Sequence, residues 1–134
     1  MSSPTPPPPL LGSCLCGSVR YEIRSPIKAV SHCHCRMCQK AHGAAFGSYG
    51  SVPAADFVLT AGADAVRSHL SSPGVTRSFC AHCGSPLSWR RDRGEWADWI
   101  SVALGTLDTP FVPGKQRHIH TESMPAWHVP DSAS

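Results

Sequence analysis

Seven cysteines fall into three short motifs, Cys14-x-Cys16, Cys33-x-Cys35-x-x-Cys38 and Cys80-x-x-Cys83 followed by Gly84. A disulfide framework would leave one thiol over from an odd count, so the clusters read as metal ligands in a reducing compartment. Ligand arithmetic divides them into four and three. Cys80 and Cys83 make a knuckle-like turn in which Gly84 supplies a positive φ, and this is half a tetrahedral site. Cys14 and Cys16, as residues i and i+2 of an extended segment, point to one face and supply the other half. Four thiolates close the shell of a zinc ion, and such a site is structural. Cys33, Cys35 and Cys38 remain. A strand end followed by a helical turn aims three sulfurs at one point, and three protein ligands with an exchangeable fourth position is the arrangement of a catalytic zinc. His32, His34 and His42 are near enough in sequence to complete that shell. His34, lying between two ligands, points away if Cys33 and Cys35 share a face, and a surface or outer-shell role is the simpler reading of all three. Ferredoxin spacings are absent, and no βαβ pattern surrounds Cys80 and Cys83, so zinc is favoured over an iron–sulfur cluster or a redox pair. The expected cofactor is zinc, two ions per chain.

The elements that must hold these motifs are short. Apolar and polar residues alternate over 19–23, and further β-type runs cover 27–33, 45–52, 57–60, 66–70, 75–79, 86–89 and 99–104, separated by Gly, Pro, Ser and Asp. Helix is expected only as single turns, at 36–41 and 106–109. The pattern predicts a mainly β fold of short antiparallel strands with irregular loops, a sandwich or open barrel tied together by metal. Residues 110–131, rich in Pro and His, read as an irregular arm wrapping the sheet. Residues 1–9, with consecutive prolines, read as a disordered tail, 10–131 as one zinc-binding domain, and 132–134 as a frayed end. No Sec-type leader and no bilayer-spanning run is visible, and the cysteine usage favours the cytoplasm. The net charge of +3 is scattered along the chain, which argues against a nucleic-acid partner and offers nothing for a membrane surface.

Three cysteine motifs in this order, within "GSCLCGSVRYE", "HCHCRMCQKAHGAAF" and "SSPGVTRSFCAHCGSPL", and followed by "VALGTLD" and "HIHTESMPAW", resemble the family of glutathione-dependent formaldehyde-activating enzymes and centromere protein V. The resemblance covers about residues 12–130. It implies a mainly β, tent-like zinc fold in which Cys14, Cys16, Cys80 and Cys83 match the structural ligands. Cys33, Cys35 and Cys38 match the ligands of the second, catalytic zinc. The activity it implies is that of a carbon–sulfur lyase, adding glutathione to formaldehyde to give S-hydroxymethylglutathione.

Three thiolates make zinc electron-rich and suited to a soft fourth ligand, so a substrate thiol bound there loses its proton and can attack an aldehyde carbon. His34, His42 or His120 could carry the proton to the new hydroxyl. Arg36, Lys40 and Arg77 are candidates for the carboxylates of glutathione, although each alone reads more simply as solvated surface. Phe46, Trp89, Trp96, Trp99 and Trp127 read as core, and "HIHTESMPAW" as a possible part of the pocket rim. The alternative function is a non-catalytic zinc protein that binds or carries a thiol. A chromatin or filament binder is the weakest reading, since no long basic extension is present.

Overall fold

Frequent Gly, Pro, Ser and Asp residues keep every strand of this chain short. The computed structural model describes residues 7–128. The expectations for residues 1–6 and 129–134, including the end of the arm and of the domain, lie outside the described residues. The strands are β1 (Leu10–Ser13), β2 (Arg20–Ile23), β3 (Ala29–Cys33), β4 (Gly47–Pro53), β5 (Phe57–Ala61), β6 (Val66–Ser72), β7 (Val75–Cys80), β8 (Pro86–Arg91), β9 (Trp99–Ala103) and β10 (Gln116–Ile119). Helix α1 (Arg36–His42) lies between β3 and β4. The fold is mainly β, as the sequence predicts.

Strands β1, β2 and β5 form a three-stranded sheet, and the other seven form a second sheet in the order β10-β3-β4-β9-β8-β7-β6. The expectation of antiparallel pairing holds except at one edge, where β10 runs parallel to β3. A parallel neighbour needs a long crossover, and the chain from β4 to β9 provides it.

Alternation along the strands divides the large sheet into two faces. On one face Val52, Ile100 and Val102 meet Tyr21 and Ile23 of the small sheet, forming the central core. On the other, the registers align Ser51 with Ser101, Ser101 with Trp89, and Trp89 with Arg77. The parallel edge adds Arg117 beside Ser31 and Ile119 beside Cys33. This second face carries the cavity described below.

Tyr21 anchors the contact between the sheets. A Cβ on Gly12 would lie 2.1 Å from its ring, so the bare glycine of β1 is what lets the ring lie there. The phenol oxygen sits 2.6 Å from the Thr106 hydroxyl. Burial pushes the Tyr21 phenol up to about 12, with the Thr106 hydrogen bond opposing the rise. An unfolded tyrosine titrates near pH ~10, so the folded state holds this proton longer, and its stabilisation is lost as pH rises from about 10 to 12. Across that window the protein is expected to lose about 2–3 kcal/mol from this group. Urea midpoints on either side of the window should show the loss, and Tyr21→Phe should reduce it.

Several local expectations need correction. The helix at 36–41 is longer than a single turn, because Cys35 caps its start and Gly43, with φ 60°, ends it. The turn expected at 106–109 lies at Leu104–Thr106. The arm at 110–131 is not wholly irregular: Gln116–Ile119 is β10, which the surrounding Pro and His residues hid. Strand β1 went unpredicted, since its two leucines follow directly on the prolines. Cys14 and Cys16 do not share an extended strand either. They lie in a tight turn closed by the Gly17 N–H on the Cys14 carbonyl at 3.0 Å.

Candidate metal centres and the cavity beside them

That tight turn still brings the two thiols together. The Cys14 and Cys16 sulfurs are 3.6 Å apart, and Cys16 is 3.9 Å from the Cys80 sulfur. Four sulfurs held tetrahedrally at the ~2.3 Å zinc–thiolate distance would stand about 3.8 Å from one another, so the spacing fits an ion. It is far too long for a disulfide, and all seven cysteines are free. All four sulfurs of Cys14, Cys16, Cys80 and Cys83 lie within 4.8 Å of one another. Gly84 has the left-handed φ of 79° that the knuckle requires, and its N–H closes the turn on the Cys80 carbonyl at 2.7 Å. Cys14 and Cys80 pack with Val19, Ala65 and Leu87, so this site has its own apolar cluster.

The sulfurs of Cys33, Cys35 and Cys38 also lie within 4.8 Å of one another. Cys33 ends β3, Cys35 caps α1, and the Cys38 N–H donates to the Cys35 sulfur at 3.3 Å. The helix turns back toward the strand end at this cap, and that places the third thiol. Cys38 is drawn down to about 5, first by its hydrogen bond with Cys33 and then by those with Cys35 and Arg77. Cys33 is pushed up by the same shared proton and by burial. An all-sulfur donor set of this kind suits zinc.

The three thiols form part of the wall of a cavity of about 560 Å³ on the open face of the large sheet. Lys28, Arg77, Arg91, Lys115 and Arg117 line it, and among the described residues no Asp or Glu does. Lys28 lies 5.5 and 5.0 Å above the Trp96 and Trp99 rings, and Arg91 lies 5.0 Å above Trp89. These three tryptophans, read from the sequence as core, are cavity wall instead. Trp127 is exposed, and Phe46 packs among histidines rather than in the core. The amino-acid sequence hides this wall, because an indole beside a cation looks like a core residue until its strand face is known.

The histidines separate by their partners. His34 is buried, with Nε2 2.8 Å from His118 Nδ1 and its ring against Phe46, outside the cavity lining. His32 bridges Ser48 and Gln116 at 2.8 Å each. His42 is outside the cavity lining, 2.7 Å from the Tyr49 hydroxyl. Of the three histidines considered for proton transfer, His120 alone lines the cavity, together with Ile119 of the same segment. His120 is the one non-glycine residue with positive φ, 55°, among the described residues. Arg36 and Lys40 are exposed and outside the lining, whereas Arg77 is within it.

Two further residues position the trio. Gln39, buried on α1, donates from Nε2 to the His34 carbonyl at 2.7 Å and to the Ser123 carbonyl at 2.9 Å, fastening the helix to the C-terminal arm. Tyr49, on β4, packs on Cys33 and Cys38 and accepts a hydrogen bond from Arg77 Nη1 at 3.0 Å. The alternation of β4 would have placed Tyr49 on the cavity face, had the register been known.

A mainly β chain that gathers four thiols at one point and three at another is defined by those two centres. The profile of the family described as glutathione-dependent formaldehyde-activating enzyme matches residues 9–123. A Halomonas elongata protein, whose name gives that same activity provisionally, is 30% identical over 126 residues, covering 88% of this chain and 78% of its own. The crystal structure of a Rhodobacter sphaeroides protein shares the fold, with a TM-score of 0.62 at 19% identity over 75% of this chain and 90% of that one. The chain belongs to the glutathione-dependent formaldehyde-activating enzyme family.

Proposed function

We propose that the protein is a zinc-dependent carbon–sulfur lyase of the cytoplasm. In the synthetic direction it adds glutathione, or a related thiol, to formaldehyde or another small carbonyl. The observation that carries this reading is the placement of Cys33, Cys35 and Cys38 in the wall of a large cationic cavity, while a separate set of four thiols needs nothing from them. Cys14, Cys16, Cys80 and Cys83 would hold a structural zinc, and Cys33, Cys35 and Cys38 a catalytic one with a position left for substrate. Bound there, zinc would lower the pKa of a thiol and polarise a carbonyl oxygen. In the reaction a sulfur–carbon bond forms, the carbon–oxygen π bond breaks, and the thiol proton ends on the new hydroxyl.

The chain's own groups bind and orient. Lys28, Lys115 and Arg117 offer charge to the carboxylates of an acidic thiol, and the cationic lining of the described residues favours an anionic ligand. The tryptophans restrict water and carry apolar surface. His120, exposed in the cavity lining, would exchange the proton with solvent. Exchange NMR of glutathione and formaldehyde tests the reading. The interconversion of free and S-hydroxymethyl thiol should be accelerated well above its spontaneous rate, in proportion to protein. Tight thiol binding with no acceleration would mean a carrier rather than an enzyme.

No helix among the described residues is long and apolar enough to cross a membrane.

A further inference from the structure

Arg77 reaches from β7 across the cavity wall and engages all three of its guanidinium nitrogens. Nε donates to the Ser71 hydroxyl at 3.2 Å, Nη1 to the Tyr49 hydroxyl at 3.0 Å, and Nη2 to the Cys38 sulfur at 3.6 Å. None of these partners is a carboxylate. Among the described residues, no Asp or Glu lines the cavity and no ion pair includes Arg77. A partly buried guanidinium without a carboxylate is costly unless another anion balances it. The group it faces is the sulfur of Cys38.

The four-thiol set is supported differently. The Val19 N–H donates to Cys14 at 3.3 Å, the Ser18 hydroxyl lies 3.3 Å from Cys16, and the Ser85 hydroxyl lies 3.3 Å from Cys83. Those are neutral partners, and the full positive charge is reserved for the three-thiol set. A divalent ion with three thiolates carries one net negative charge. A thiolate as fourth ligand makes the group a dianion, whereas a neutral ligand does not. A cation fixed against one of the sulfurs offsets that second charge, and its effect is strong where water is excluded.

We propose that Arg77 is a positioning residue that makes the fourth coordination place beside Cys33, Cys35 and Cys38 selective for an anionic sulfur over neutral ligands. The inference rests on the reading of the trio as an open metal site. The Tyr49 hydroxyl and Ser71 hold the guanidinium in place, so the selectivity is built into the sheet before any ligand arrives.

The test uses the full chain loaded with cobalt(II), titrated with 2-mercaptoethanol and separately with imidazole, reading the ligand-field and sulfur-to-cobalt bands. In Arg77→Met the affinity for 2-mercaptoethanol should fall about 10–100-fold, the range typical of losing an outer-shell partner. Imidazole affinity should hold or rise, and Arg77→Lys should recover much of the thiol preference. Equal weakening of both ligands would mean that Arg77 merely props up the site, and an unchanged thiol affinity would mean that it does nothing there; either overturns the inference. If Arg77→Met does not fold, Arg77→Lys decides alone: it keeps the charge and must keep the preference, and its loss refutes the proposal. Wild-type bands that ignore 2-mercaptoethanol would overturn the open-site reading itself, and the inference with it.

Discussion

Serine in place of Cys83 should lower stability by at least about 4 kcal/mol, roughly 15 °C in Tm for a chain of this size, or abolish the cooperative transition. Binding of zinc by four thiolates contributes about 10–16 kcal/mol in small peptides, and a domain's whole stability is about 5–15 kcal/mol. Losing one of four ligands would therefore remove a large share of what such an ion contributes to folding. The position of the site enlarges the effect, since Cys14 and Cys80 are part of a packed cluster with Val19, Ala65 and Leu87. Without an ion, sulfurs 3.6 and 3.9 Å apart stay crowded as thiols or repel as thiolates. Circular dichroism on heating, alongside metal content by mass spectrometry, measures both effects.

Cys38→Ser should do the opposite, removing activity while leaving the fold. With one of three thiols gone, metal retention at the trio should fall by more than the roughly 10–100-fold of an outer-shell change, and turnover should drop to the spontaneous rate. The stability cost should stay within about 1–2 kcal/mol. The reason is local: β3 is held by β4 on one side and β10 on the other, and α1 by the two Gln39 hydrogen bonds, none of which uses the Cys38 sulfur. The expected protein retains one ion and a near-native Tm. Equal loss of stability in Cys83→Ser and Cys38→Ser would undo the division into a structural and a functional centre.

The partition of the thiols was legible because metal sites are counted in ligands, and three motifs of two, three and two residues admit few groupings. The fold class was legible from alternation and turn residues. What escaped was everything decided by register. That Tyr49, Trp89, Arg77, Arg117 and Ile119 share a surface follows from which residue of β4, β7, β8 and β10 stands opposite which. Nothing local encodes that pairing. The route by which Cys14 and Cys16 converge was misread for a related reason. A two-residue spacing is satisfied by an extended strand and by a tight turn alike, and the Gly17 φ of 80° marks the turn. His34, just beyond the end of β3, faces His118 and Phe46 rather than the three thiols.

The four-thiol centre joins a turn near the start of the described chain to one far along it, spanning the whole stretch from Cys14 to Cys83. An ion held there closes a loop of about half of the polypeptide. In the chain-entropy view a cross-link over a loop this long restricts the unfolded ensemble by about 4 kcal/mol. A disulfide could do the same only in an oxidising medium, whereas thiolates on an ion do it among reduced thiols and release it to a chelator. Its unfolding should therefore depend on free metal concentration as steeply as a ligand-linked equilibrium allows.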